Sequence, residues 1–455
     1  MKLKMPVKNR FKATRNACKL CAPLGASLVF RGIEGALPFL HGTQGCATYI
    51  RRYLISHFRE PMDIASSSFS EETAVFGGKE NLKSGLLNVY TQYKPQLIGV
   101  ATTCLAETIG DDVSLFLKEL RQEQLIPENV MVVNVSTPSF KGTHMDGFYL
   151  AVRGVISGLC ESGGARNSKI NIFPSFLSCA DLRHLKEIFQ DFGLEYVILP
   201  DYSQTLDGPA WSQYHKIPEG GAKIKDIEAM GNSRASLEFS STIADEQSAA
   251  RLLSERFEVP FFKLCIPIGI KQTDVLFALI EKISGRPIPE KYISERGRLV
   301  DSYVDGHKYI FDKKAVIYGE EDMVVALASF LCEIGVKPVL CVSGGNSGRI
   351  REALGMVMGG AARDLMVKDD ADFMDLEDEL KNLQPDFLIG SSKGYSAARR
   401  FGIPLVRVFF PIHDRIGGQR ILHIGYRGAQ RLFDQIVNTL LSQKQEDSTT
   451  GYSYL

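Results

Sequence analysis

The stretch "PQLIGVATTCLAETIGDDVSLFLKELRQE" (95–123) decides the architecture. Its first nine residues (95–103) form a short apolar, partly β-branched run of strand length behind a proline. Residues 111–123 place two acids in a first helical turn and apolar residues at helical spacing behind them, as the helix dipole prefers. A strand that hands over to a helix through a tight turn is half of a βαβ unit. The same strand signal recurs at "VMVVNV" (130–135), "KINIFPS" (169–175), "EYVILPD" (195–201), "KAVIYG" (314–319), "KPVLCVSG" (337–344) and "PDFLIGSS" (385–392), with amphipathic stretches between. Continuous apolar strands alternating with helices predict an α/β protein of three Rossmann-like, doubly wound parallel-sheet domains. The expected divisions are 1–168, 169–310 and 311–455, with "RNSK" (166–169) and "VDGHKYIFDKK" (304–314) as linkers. A polar tail, "SQKQEDSTTGYSYL" (442–455), is expected to be mobile unless a partner holds it.

At 455 residues the chain exceeds what one hydrophobic core sustains. Lys plus Arg and Asp plus Glu stand at 53 each, so no net field draws the chain to nucleic acid or an anionic membrane. No apolar run approaches the roughly 18 residues of a membrane span. The N-terminus "MKLKMPVKNRFKATRNAC" is basic but lacks the apolar centre of a signal peptide, so a cytoplasmic location is expected. Nine cysteines, an odd number, argue for reduced thiols rather than a disulfide framework. The glycine-rich loops "GGNSG" (344–348), "GSSKG" (390–394) and "VFGGKEN" (75–81) match neither G-x-x-x-x-G-K-S/T nor G-x-G-x-x-G, so nucleotide hydrolysis by this chain is not expected.

Cys160, Cys179, Cys265, Cys332 and Cys341 sit in apolar runs and read as small core residues. Cys21 ("CAPLGA"), Cys46 ("HGTQGCATY") and Cys104 ("TTCLAETIGDD") differ, because each lies among small or turn-forming neighbours where sulfur and backbone N–H groups can approach a bulky inorganic cluster. Spacing alone leaves iron–sulfur ligation and three unconnected thiols both open. Cys18 and Cys21 form a C-x-x-C pair with no second pair, which is incomplete as a zinc site. Three thiolates are also one short of the usual four-ligand cluster, so the missing ligation must come from elsewhere in the chain or from another chain. Ser139 in "STPSFKGTH" (136–144) follows a strand and reads either as an oxygen ligand or as a turn serine beside Pro138.

With these residues in place the sequence resembles the β subunit of nitrogenase component 1, a family that includes the molybdenum–iron protein and its vanadium and iron-only relatives. "CAPLGA", "HGTQGC", "HFREP", "AVFGG", "TTCLAETIGDD", "TPSFKGTH", "ERGRLVD" and "FPIHDR" occur in the family's order between about 15 and 440. The resemblance implies the nitrogenase component 1 fold. It also implies that Cys21, Cys46 and Cys104 are the β-side ligands of an eight-iron (8Fe–7S) P-cluster completed by an α-type subunit. Ser139 would join as an oxygen ligand on oxidation and Tyr49 would stand beside the cluster. Phe76 would lie where an ATP-hydrolysing iron protein docks, its other reading being a core aromatic. Arg59, Glu60, Asp301 and Asp305 would hold a structural divalent cation between β subunits, although spacing alone reads the carboxylates as a solvated face.

The implied function is a β-type subunit of an α2β2 reductase that relays electrons from the iron protein to an iron–sulfur catalytic cofactor in the α-type partner. "RNACKLCAPLGA" (16–27) departs from the N-P-x-x-x-C-Q-P pattern of nitrogenases, leaving Cys18 as an extra thiol. Nitrogenase-like reductases such as methylthio-alkane reductase, which cleaves C–S bonds, therefore remain open beside dinitrogen reduction. A cofactor-assembly scaffold subunit is the alternative: "SAARRFGIPLVR" and "IGGQR" resemble its β-like chain, which typically keeps only the cysteine matching Cys46.

Overall fold

A computed structural model describes residues 18–124, 127, 129–161 and 164–450. The decisive stretch folds as read. Residues Leu97–Thr102 form a buried strand and Val113–Gln122 a helix, capped by the Asp112 carboxylate, which accepts from the Leu115 N–H at 2.9 Å. Between them the turn tightens into a short helix, Cys104–Ile109.

Among the described residues thirteen strands build three sheets in which every pairing is parallel. The first contains β1 (Ala36–His41), β2 (Ala65–Ser66), β3 (Leu97–Thr102) and β4 (Met131–Val135) in the order β2-β1-β3-β4. The second contains β5 (Ile170–Phe173), β6 (Tyr196–Ile198), β7 (Ala235–Phe239) and β8 (Phe261–Leu264) in the order β6-β5-β7-β8. The third contains β9 (Lys314–Gly319), β10 (Lys337–Ser343), β11 (Met366–Lys368), β12 (Phe387–Gly390) and β13 (Leu405–Arg407) in the order β11-β10-β9-β12-β13. In each, the chain winds outward one way from an inner strand and then returns to wind the other way, which defines a doubly wound sheet. We propose the divisions at 168 and 310, which assign one sheet to each unit. The units nonetheless share apolar interior: the largest of three clusters among the described residues joins Phe30 and Phe148 to Phe239, Phe277 and Phe330.

Two helices fix the N-terminal unit. Ala22–Arg31 is buried along its whole length and lies against His144–Leu159. Glycines set the approach. A methyl group on Gly25 would stand 1.8 Å from the His144 carbonyl oxygen, and one on Gly147 would stand 1.9 Å from that of Ala22. At the other end of the chain the polar tail is ordered further than its composition suggests. The helix Gly425–Glu446 runs through its first residues, with Leu440 and Leu441 packed on the core, and residues 451–455 lie outside the described range.

His57, at the end of the helix Gln44–Phe58, is buried among Phe58 and Phe410, and its Nδ1 accepts from the Ile412 N–H at 2.9 Å. Burial first, and the His413 charge second, push its pKa from 6.5 down to about 3. The folded ring is thus neutral where an unfolded one protonates. A depressed pKa of this kind contributes stability above about pH 6.5 that is lost as pH falls toward 3. At pH 5 the loss amounts to about 2 kcal/mol, at 1.36 kcal/mol per pKa unit. Thermal melts between pH 7.5 and 5 are expected to fall, and more shallowly in His57→Gln, which keeps an acceptor for Ile412.

Candidate functional site

Three separated segments of the N-terminal unit present sulfur on one exposed face. Cys21 is the N-cap of Ala22–Arg31, Cys46 lies in the first turn of Gln44–Phe58, and Cys104 opens Cys104–Ile109 directly after β3. All three are exposed. The sequence sets Cys21 and Cys46 among turn-forming neighbours and Cys104 between a strand and a helix; in the structure each stands at a helix start. The first turn of a helix carries backbone N–H groups without intrahelical partners and the positive end of the dipole, so it suits a thiolate without needing a lysine or arginine beside it. Of the C-x-x-C pair only Cys21 caps a helix, and only its sulfur is exposed.

The three thiols form one electrostatic group. Burial of the Cys21 sulfur raises its pKa, the charges of Cys46 and Cys104 raise it further, and a hydrogen bond with Ser139 opposes them. Ser139 ties the segments together. Its Oγ accepts from the Ala22 N–H at 3.3 Å, and its own N–H donates to Cys104 Sγ at 3.2 Å. Thr43, the N-cap of the neighbouring helix, donates from Oγ1 to Cys46 Sγ at 3.6 Å.

This donor set suits a polynuclear iron–sulfur centre better than a lone ion. Among the described residues no three His, Cys, Asp or Glu side chains are grouped to hold one metal ion. Thiolates that reach a shared face from three directions, and repel one another there, gain from a multiply charged body between them. Thiolate is also the ligand that iron–sulfur clusters take.

Tyr49 stands one turn after Cys46 and is 69% exposed. Tyr53, a further turn along, packs edge-on to His413 at 4.6 Å, and its hydroxyl pKa is raised by burial and then by Cys21. Sequence reasoning missed Tyr53, although the spacing 46, 49, 53 marks one helix face. Phe76 ends the helix Glu71–Phe76 and is 86% exposed, with Gly78 capping the next helix, Lys79–Tyr93. A core role for Phe76 within this chain is excluded.

The four residues of the expected cation site lie in two segments, Arg59 and Glu60 just after the helix Gln44–Phe58 and the two aspartates on a later helix. The Arg59 guanidinium donates to the His413 carbonyl at 3.3 Å, and Glu60 faces Asp207, Arg31 and Arg420. Asp301 and Asp305 lie exposed on the helix Glu290–Ile310.

Cys18 points away from the sulfur face. It is buried in the third unit's apolar cluster with Val316, Tyr318, Leu340 and Leu388, and burial pushes its thiol to about 12. Lys19 beside it pairs with Asp370 at 2.8 Å, so the segment straps the first unit to the third. Cys18→Ala is expected to leave metal content unchanged and to lower stability by about 1 kcal/mol, the scale of a small core truncation, as read from a denaturant midpoint. The other five cysteines are buried or half-buried.

Residues 21–441 match the family described as "Nitrogenase component 1 type Oxidoreductase". The chain is 38% identical over 440 residues to the nitrogenase molybdenum-iron protein beta chain of Clostridium pasteurianum, spanning 96% of each. It is 38% identical over 440 residues to that of Methanothermobacter thermautotrophicus, spanning 95% of each. Against the beta chain of Azotobacter vinelandii the identity is 34% over 450 residues, covering 96% of this chain and 86% of the relative. The solved structure "Nitrogenase Cp1 at pH 6.5" matches with a TM-score of 0.95 at 36% identity, over 99% of this chain and 98% of that one. A chain of "Nitrogenase Cp1 at pH 5", at 16% identity and a TM-score of 0.73, shares the fold.

Proposed function

The chain belongs to the nitrogenase component 1 type oxidoreductases as a β-type subunit, and from that premise we propose that it holds half of an interfacial eight-iron P-cluster and serves as an electron relay. Cys21, Cys46 and Cys104 are the thiolate ligands from this side, and an α-type partner in an α2β2 heterotetramer supplies the rest. The observation that carries the reading is the position of Ser139, hydrogen-bonded to the Cys21 sulfur while its N–H donates to Cys104 Sγ. A bound iron–sulfur cluster supplies one-electron redox chemistry at this face.

The chain's own residues set the conditions for that chemistry. Backbone N–H groups at the helix starts and the Thr43 hydroxyl direct partial positive charge at the sulfurs, which favours the thiolate form. The Ser139 hydroxyl, beside Cys21, is an oxygen donor available when a more oxidised iron calls for a harder ligand. Tyr49 and the surrounding apolar surface exclude water once the partner covers them.

Phe76 on its exposed helix end is the docking point for an ATP-hydrolysing iron protein. Substrate is reduced in the α-type partner, on an iron–sulfur catalytic cofactor held there. Arg59, through its main-chain carbonyl, and Glu60 of one copy with Asp301 and Asp305 of another hold a divalent cation between β subunits. Among the described residues no helix is long and apolar enough to cross a membrane, and nothing in the charge balance favours nucleic acid.

Iron analysis of the co-purified heterotetramer tests the reading. About eight irons per αβ interface are expected from a P-cluster, whereas about four would point to the cofactor-assembly scaffold. Assays of dinitrogen against small thioethers on the same preparation then assign the substrate class.

A further inference from the structure

Of the acidic pair in "IGDD", Asp112 caps a helix, and Asp111 turns inward to do something else. Its carboxylate accepts the Gly78 N–H at 3.1 and 3.0 Å, on the turn that follows the exposed Phe76. The same carboxylate meets His41 Nε2 at 2.9 Å. His41 Nδ1 is 3.1 Å from Ser67 Oγ, and Ser67 Oγ accepts the Gly42 N–H at 2.8 Å. The His41 carbonyl in turn accepts the Thr103 N–H and the Thr103 hydroxyl, each at 3.1 Å.

One proton arrangement satisfies every group: Gly78 and His41 Nε2 donate to Asp111, the Ser67 hydroxyl donates to His41 Nδ1, and Gly42 donates to Ser67. The His41 and Asp111 side chains are 0% and 4% exposed, so no water competes for these bonds. The chain of bonds thus begins at the turn behind Phe76. It ends at Gly42, two residues before the helix that carries Cys46, and at Thr103, the residue before Cys104.

We propose that Asp111, His41 and Ser67 are positioning residues that transmit iron-protein docking at Phe76–Gly78 to the segments bearing Cys46 and Cys104. The inference rests on the docking role given to Phe76 above. Packed, fully bonded networks shift between discrete arrangements rather than deform smoothly, so a displaced Gly78 amide moves Asp111 and with it His41. His41 branches the signal. Its ring reaches Gly42 through Ser67, and its carbonyl reaches Thr103 directly.

The branch gives the test. Hydrogen exchange of the heterotetramer is measured with and without the iron protein, held on the complex by a non-hydrolysable ATP analogue. Docking is expected to slow exchange at 71–80, and to change it by at least about fivefold at 40–48 and 100–106. In Asp111→Asn both distant responses should vanish. In Ser67→Ala, which leaves Gly78, Asp111 and the Thr103 contacts intact, only the response at 40–48 should vanish. A purely structural role would change basal exchange in these variants without separating the two segments.

Protection at 71–80 with no response at 40–48 and 100–106 in the unsubstituted protein overturns the coupling and spares the docking role. Absence of protection at 71–80 overturns the docking role and the coupling with it. Should Asp111→Asn disturb docking itself, Ser67→Ala decides: a retained response at 40–48 overturns the proposal.

Discussion

Cys46→Ala and Cys104→Ala are each expected to empty the αβ interface of iron while leaving the chain folded. Both thiols are exposed on the isolated subunit, so their removal opens no cavity and leaves no buried polar group without a partner. The thermal transition of either variant should stay within about 0.5 kcal/mol of the parent, the usual range for surface substitutions. The metal is another matter. In the proposed ligation the chain supplies three thiolates, and losing one would leave an iron without its protein ligand and the remaining two poorly matched to the cluster's charge.

Loss of an outer hydrogen-bond partner already costs metal sites 10–100-fold, so loss of a direct ligand should lower iron-protein-driven electron transfer by at least about 100-fold. Cys104→Ala has a second consequence, because it removes the acceptor of the Ser139 N–H and frees the turn that holds the Ser139 hydroxyl near Cys21. Elemental iron on the purified heterotetramer, paired with a circular-dichroism melt, separates the two effects. Full iron in both variants would remove these cysteines from the ligand set.

Much of this face is legible in the sequence because cysteines in motifs stand out, yet its geometry is not. "CAPLGA", "HGTQGC" and "TTC" read as special for their turn-forming neighbours, but only the folded chain shows each sulfur at a helix start. Short helices such as Cys104–Ile109 hold too few residues for periodicity to register. The strands show the same division. β3 and β9 announce themselves with apolar runs, whereas β1, "ALPFLH", carries a proline that argues against a central strand.

The structure accommodates Pro38 because β2 pairs with β1 only at Phe39 and Leu40, leaving Pro38 beyond the end of that ladder. The fate of Cys18 was legible only as a question. Three residues from Cys21 in sequence, it turns into a different unit's core, a choice dictated by the third sheet rather than by local sequence. The Asp111–His41–Ser67 chain was invisible for a similar reason, since its members come from three segments up to 70 residues apart.

Gly25→Ala and Gly147→Ala test how the fold aims Cys21, and each is expected to be severely destabilising. The added methyl in Gly25→Ala would lie 1.8 Å from the His144 carbonyl oxygen, and in Gly147→Ala 1.9 Å from the Ala22 carbonyl oxygen. Neither neighbour is the tip of a flexible side chain. Both are main-chain atoms of helices packed on the core, so relief requires the helices themselves to separate. Overpacking of well-filled interiors costs about 1–3 kcal/mol, and a backbone clash of this depth belongs at or above about 3 kcal/mol.

Separation also has a functional cost. Cys21 pairs in register with Thr143, and the His144 N–H donates to the Leu20 carbonyl at 2.9 Å, so the two helix starts are one unit. Moving them apart carries Cys21 away from Ser139 on the loop before Thr143. Gly25→Ala should therefore lose both stability and interfacial iron, in contrast to Cys46→Ala, which loses iron alone. A denaturant melt and an iron assay on the same preparation distinguish them: Gly25→Ala with full stability and full iron would show that the helix pair does not set the position of Cys21.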